Sequence, residues 1–200
     1  MHFSLILIGA HDGSKTEALV SQATAAGKVL LVEPVPFLFE RLSKKYHGHT
    51  NVMIQSVCIS TVDGPIDFIS PLESANTVVS YGDQLGSVVE KHASNHNPQL
   101  SEHIKTITVQ SKTFQTLVSE NSITSIDMLM TDTEGLDLDI LPTFPFHQIM
   151  PARIVFEFKH SDGTNRIGLK LANYLIQLDK LGYEVTVLDI ENLFAFRKPS

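Results

Sequence analysis

Phe3-Ser4-Leu5-Ile6-Leu7-Ile8 followed by Gly9-Ala10-His11-Asp12-Gly13 decides the fold of this chain. A short apolar run that stops at a glycine marks a strand buried on both faces and leading into a tight bend. Ser14 with Glu17 three residues on reads as a capping box that opens a helix, and Gly27 supplies its stop. The next apolar run, Val29–Glu33, ends on an acid that lies 33 − 13 = 20 residues beyond Gly13. Strand, glycine bend, helix, strand is the opening of a doubly wound sheet, where ligands bind beyond the carboxyl ends of the strands. Glycines let backbone approach a ligand, the helix start offers N–H groups, and an acid at the tip of the second strand accepts both ribose hydroxyls. The pattern predicts a nucleoside-containing cofactor at Gly9, Ala10, His11, Asp12, Gly13 and Glu33. A plain strand-to-helix turn would use the same two glycines with no ligand.

Working outward, strands are expected at Val52–Val57, Ile126–Thr131 and Ile154–Phe158, which gives a mostly parallel α/β sheet. Helices are expected from Pro36 to Tyr46, over Thr113–Ser119, and over Gly168–Leu181, with Leu169, Ala172, Leu175, Ile176 and Leu178 as the apolar stripe of the last. Tyr183–Leu188 and Leu193–Phe196, split by Asp189–Asn192, read as an antiparallel hairpin at one edge of the sheet. Asp63-Gly64-Pro65 is a turn between Val57–Thr61 and Ile66–Ile69. Residues 70–104 have weak periodicity and polar character and read as a long excursion with one helix, an insertion or lid over the acceptor site of one domain spanning 1–200.

The chain has 200 residues, 42% hydrophobic and 18% charged, enough for one core and too few for two full domains. A net charge of −7 with scattered Lys and Arg gives no basic face, so neither nucleic acid nor an anionic membrane is an expected partner. The lone cysteine, Cys58, excludes an internal disulfide, and no apolar run approaches the roughly 18–20 residues needed to span a bilayer. A soluble, cytoplasmic protein is expected. The edge of the terminal hairpin offers a surface for a homodimer.

A second signal is the apolar strand Ile126–Thr131 that runs into Asp132-Thr133-Glu134-Gly135. Its carboxylates should reach the same rim as Glu33, unless either acid serves as an N-cap for the helix after Gly135. Asp12 argues against a dinucleotide, because an ionised carboxylate in the bend would repel a pyrophosphate. The GxxxG spacing also departs from the dinucleotide GxGxxG pattern.

Taken together, Ile8-Gly9-Ala10-His11-Asp12-Gly13, Val32-Glu33-Pro34-Val35-Pro36, Cys58-Ile59-Ser60 with Asp63-Gly64, Asp127-Met128-Leu129 with Asp132-Thr133-Glu134-Gly135, and Val155-Phe156-Glu157-Phe158 resemble, in this order, the FkbM family of methyltransferases dependent on S-adenosyl-L-methionine (SAM). The resemblance implies a Rossmann-like class I methyltransferase fold. It implies that Gly9, Ala10, His11, Asp12 and Gly13 line the methionine part of SAM, that Glu33 with Pro34 holds the ribose, that Gln55, Ser56 and Val57 lie near the adenine, and that Asp132 borders the cofactor. Leu7, His11 and Gln115 depart from the family pattern, where an acid, a small amide and an acid are usual.

Methyl transfer to a hydroxyl needs alignment and a proton acceptor. Asp132 is the first candidate and His160 the second, with Glu134 and Glu157 beside them. The acceptor class, a small molecule or carbohydrate hydroxyl, follows from the resemblance alone. Crowded carboxylates could instead hold Mg²⁺ or Ca²⁺, but no ligand spacing supports a metal; the pairs His47/His49 and His92/His96 read as solvated surface, and Cys58 as buried packing. The competing readings are an NAD(P)-linked oxidoreductase, weakened because Tyr174 is followed four residues later by Leu178 rather than Lys, and a non-catalytic SAM-binding protein.

Overall fold

Strand β1 (His2–Ile8) is paired on both sides, in parallel with β2 (Lys28–Val32) and with β7 (Ser125–Thr131), so its residues from Phe3 to Ile8 are buried. In the computed structural model, which describes residues 1–159 and 168–198, β3 (Val52–Gln55) extends the sheet beyond β2 and β8 (Arg153–Glu157) extends it beyond β7, all in parallel. Strand β10 (Asn192–Arg197) runs antiparallel to β8, and β9 (Tyr183–Val187) pairs antiparallel on its far side. The order among the described residues is β3-β2-β1-β7-β8-β10-β9. The terminal hairpin stands at an edge as expected, with its second strand inserted and its first at the rim.

A register slip between Phe3 and Leu5 sets which side chains go to which face. An extra residue in one strand inverts the alternation, so Phe3 joins Ile6 and Ile8. These pack with Phe114, Leu117 and Val118 of α4 (Phe114–Glu120) and with Leu171, Tyr174 and Leu178 of α6 (Leu169–Lys180). Leu5 and Leu7 face the other way, against Val20 of α1 (Glu17–Ala26), Leu42 of α2 (Pro36–Lys45), and Tyr46. Each such burial is worth roughly 1.5–3 kcal/mol, so neither helical layer is dispensable.

Three local expectations change. The Ser14/Glu17 capping box does not form: Asp12 accepts the Ser14 N–H at 2.9 Å, α1 starts only at Glu17, and Glu17 pairs with Lys45 at 2.8 Å. The stripe of α6 is rotated, with Leu169 82% and Ile176 54% exposed, because Tyr174 turns inward and packs edge-on against Phe156. A strand that the sequence reading did not place, β6 (Ile104–Lys112), pairs antiparallel with β5 (Gly64–Pro71) and parallel with β4 (Cys58–Ile59) in a second sheet. Between β5 and β6 the chain is ordered into short turns and α3 (His92–His96), gathered on Ala75, Leu85, Ala93 and Leu100. Among the described residues no helix is long and apolar enough to cross a membrane.

Candidate functional site

At the carboxyl end of β1 the chain turns so tightly that Gly9 (φ +81°) lies against the main chain of β7's extension, and a Cβ there would stand 1.8 Å from the Asp132 carbonyl oxygen. Gly9 and Ala10 donate their N–H groups to the Val32 carbonyl at 3.0 Å. His11 follows with φ +52°, a conformation L-residues adopt at a cost. It is retained because its N–H donates to Glu33 Oε2 at 2.8 Å, while Val35 N–H donates to Glu33 Oε1 at 2.8 Å. A carboxylate has about four lone-pair positions, so each Glu33 oxygen keeps one for a ligand. Burial pushes the Glu33 carboxyl up to about 7 against the two N–H bonds, which favour the ionised form.

The opposite wall is the loop that follows β7. Asp132 N–H donates to the Ile8 carbonyl at 3.0 Å, which ties the loop to β1. Thr133 gives its N–H and its hydroxyl to Asp137 Oδ2, at 3.1 and 2.7 Å, and Asp137 is itself buried. Glu134 adopts φ +52°. Ser87 Oγ donates to its carbonyl at 2.7 Å, and His92 Nε2 lies 2.8 Å from its Oε2. Neither Asp132 nor Glu134 caps α5 (Asp137–Ile140), whose N-cap is Leu136 with no side-chain bond. Burial first, then mutual repulsion, raises the carboxyls of Asp132, Glu134 and Glu157, with Asp137 raised mainly by burial.

Between the walls lies a cavity of about 830 Å³ counted with its open mouth. Gly9, Ala10, His11, Glu33, Pro34, Val57, Asp132 and Glu134 line it, as does the apolar floor of Val35, Leu38, Cys58, Ile59 and Phe68. Glu33 and Asp132 therefore share one end of the sheet. Other expected residues stand elsewhere. Asp12 folds onto Ser14 and His11, whose hydrogen bonds outweigh its partial burial and bring its carboxyl down to about 2. Gly13 backs onto Leu42 and Tyr46. Gln55 Nε2 donates to Asn121 Oδ1 at 2.8 Å, and Ser56 is exposed. Gln115 accepts from Gln148 at 3.1 Å away from the cavity, and Leu7 belongs to the core under α1. Cys58 is buried, and burial pushes its thiol up to about 12. His160 lies outside the described residues.

A second cleft, about 1030 Å³ with its open mouth, adjoins the first and shares Lys15, Gln84, Asp132 and Glu134 with it. Its other walls include His96, Glu157, Lys159 and Glu191, the last two paired at 2.7 Å. Asp83, Gln84, His92 and Phe68 were missed by sequence reasoning. Phe68 could have been found from the alternation Ile66, Phe68, Ser70 along β5, and His92 from its i,i+4 pairing with His96, which was read as solvated surface; nothing local marks Asp83 and Gln84. His47 and His49 are exposed as expected, but His92 is fully buried, because Glu134 and the small core around Ala93 enclose it.

Residues 8–191 match the family described as the methyltransferase FkbM domain. No curated protein matches the sequence. The fold is similar to that of methyltransferase FkbM from Methylobacillus flagellatus KT, with a TM-score of 0.56 at 12% identity over 98% of this chain and 44% of that one. It is similar to the fibrillarin pre-rRNA processing protein of Methanococcus jannaschii, TM-score 0.51 at 13% identity, covering 100% of this chain and 68% of that chain. It also resembles a chain of a fibrillarin/Nop5p complex, TM-score 0.50 at 11% identity over 98% and 73%. The chain thus spans less than half the length of the Methylobacillus protein. The strand order and the reversed strand beside β8 are those of a class I methyltransferase.

Proposed function

The chain belongs to the FkbM methyltransferase domain family, and from that premise we propose that it moves the methyl group of SAM to a hydroxyl oxygen of a small molecule or sugar. The observation that carries this reading is the single cavity lined by Gly9, Glu33 and Asp132 at the ends of β1, β2 and β7. The residues present fit SAM. Glu33 has one lone pair per oxygen left for the ribose hydroxyls, and the floor of Val35, Leu38, Ile59 and Phe68 suits an adenine. In their ionised forms Glu33, Asp132 and Glu134 repel a pyrophosphate, and a sulfonium or an ammonium beside them favours those forms. This replaces Asp12 as the reason against a dinucleotide, since Asp12 does not line the cavity.

When bound, SAM would supply an electrophilic methyl group, its sulfur keeping the bonding electron pair as the acceptor oxygen takes the methyl. Gly9, Ala10 and His11 hold the methionine end, and Glu33 with Pro34 fixes the ribose. Asp132 takes the proton of the acceptor hydroxyl; its raised carboxyl is matched to proton transfer near neutral pH. Glu134 and Glu157 lie beside it toward the second cleft, which receives the acceptor, and His160 is the second candidate for the base. Residues 70–104 serve as the cover of that side, contributing Asp83 and Gln84 to the cavity and Tyr81, Leu85 and His96 to the cleft.

Isothermal titration of the pure protein with SAM, S-adenosylhomocysteine and NADH tests the cofactor. The first two are expected to bind and NADH is not; NADH binding without SAM binding would favour an oxidoreductase. Transfer of labelled methyl to hydroxyl acceptors tests the reaction, and SAM binding with no acceptor ever methylated would favour a non-catalytic role.

A further inference from the structure

Helix α3 places His92 and His96 at i and i+4, on one face, with ring centroids 4.7 Å apart. Both rings face the loop after β7, where His92 Nε2 meets Glu134 Oε2 at 2.8 Å. One ligand atom from each of His92, His96 and Glu134 falls within 4.8 Å of the other two. From this juxtaposition we propose that His92, His96 and Glu134 form a binding site for a divalent first-row metal ion, zinc foremost, on the acceptor side of the cavity.

The geometry suits such an ion. Zinc bonds of about 2.0–2.1 Å put the ligand atoms of a tetrahedron about 3.3–3.4 Å apart. The His92–Glu134 separation of 2.8 Å is somewhat shorter than that edge, and no pair of the three ligand atoms is more than 4.8 Å apart. Two imidazoles with one carboxylate select zinc and its neighbours over Mg²⁺ or Ca²⁺, and three protein ligands leave a fourth position open. His96 and Glu134 both line the second cleft, together with Asp132, Glu157 and the paired Lys159 and Glu191. Ser87, fully buried, fixes the Glu134 main chain, the kind of support that ligands of bound metals usually have. The entry into α3 at Lys91 has φ +63°, so the chain adopts an uncommon turn to present the pair.

The site does not depend on methyl transfer; its place in catalysis, coordinating the acceptor oxygen, rests on the methyltransferase reading. The test is titration of tag-free protein with Zn²⁺ by calorimetry and with Co²⁺ by visible absorption. One equivalent is expected to bind, with the intense absorption of Co²⁺ at low coordination number. His92 is buried and its replacement could unfold the chain, so the half-exposed His96 carries the test, with folding checked by circular dichroism. His96→Ala and Glu134→Gln should each weaken binding at least tenfold, and the exposed pair His47→Ala/His49→Ala should leave it unchanged. No stoichiometric uptake by folded wild type, or uptake that survives both His96→Ala and Glu134→Gln, overturns the site. Metal binding in a protein that never methylates leaves this inference standing and removes the methyltransferase reading instead.

Discussion

Glu33 and Glu134 both line the cavity, and they are held by different means. Glu33 is gripped by main-chain N–H groups of His11 and Val35, supplied by the bend it stabilises and by its own neighbour two residues on. Glu134 is gripped by the side chains of Ser87 and His92, which come from a segment 47 and 42 residues earlier. The first grip forms wherever the local bend forms. The second exists only after a distant segment has docked, so its side is the one free to vary in what it recognises.

The largest effect should come from the bend itself. Gly9→Ala puts a methyl group into the Asp132 carbonyl at a positive φ, and a loss of more than about 4 kcal/mol is expected, seen as insoluble protein or a collapsed melting transition. Normal folding of that variant would show that the two walls are less tightly joined than described. Asp132→Asn should keep the fold and reduce methyl transfer by about 10²–10⁴-fold, or roughly 3–5 kcal/mol; unchanged turnover in single-turnover assays would move the base to Glu134, Glu157 or His160.

The third effect depends on pH. Glu33 has a folded value near 7 against an ordinary 4.5, so the folded state holds the proton more tightly. Its stabilising share is full below about pH 4.5 and is lost as pH rises through 7, a change of about 3 kcal/mol. The raised carboxyls of Asp132, Glu134 and Glu157 act in the same direction. Ligand-free protein should therefore melt lower at pH 8 than at pH 5.5, and a flat profile would contradict the burial of these acids. Glu33→Gln should weaken SAM binding by about 2 kcal/mol in calorimetry, since a charged hydrogen-bond acceptor is lost. Least of all, Leu169→Ser on the exposed turn of α6 should change stability by less than about 0.5 kcal/mol in a denaturant melt.

These expectations also mark what the sequence could express. The Gly9 bend, Glu33 and the Asp132–Glu134 loop were legible because each follows a buried strand whose apolar run announces it. The capping box failed because Asp12, two residues before Ser14, competes for the same N–H. Gln55 was expected at the adenine, yet a polar partner on α4's exit, Asn121, takes its amide. Strand β6 alternates Ile107, Val109 and Ser111 with Thr108 and Gln110, a pattern weakened because a serine fills one inward place. Asp83 has no local signature, and the i,i+4 pair His92/His96 did not reveal its burial, since that depends on which wall the segment docks against. The rotated face of α6 follows from Tyr174, an aromatic that a stripe of leucines and isoleucine conceals.

The inserted strand has a consequence for how the molecule assembles. Because β10 lies between β8 and β9, the ribbon that emerges first has no hydrogen-bonding neighbour until the later one has threaded into place. As the chain is made, the free border of β8 stays without a strand partner until β10 has emerged.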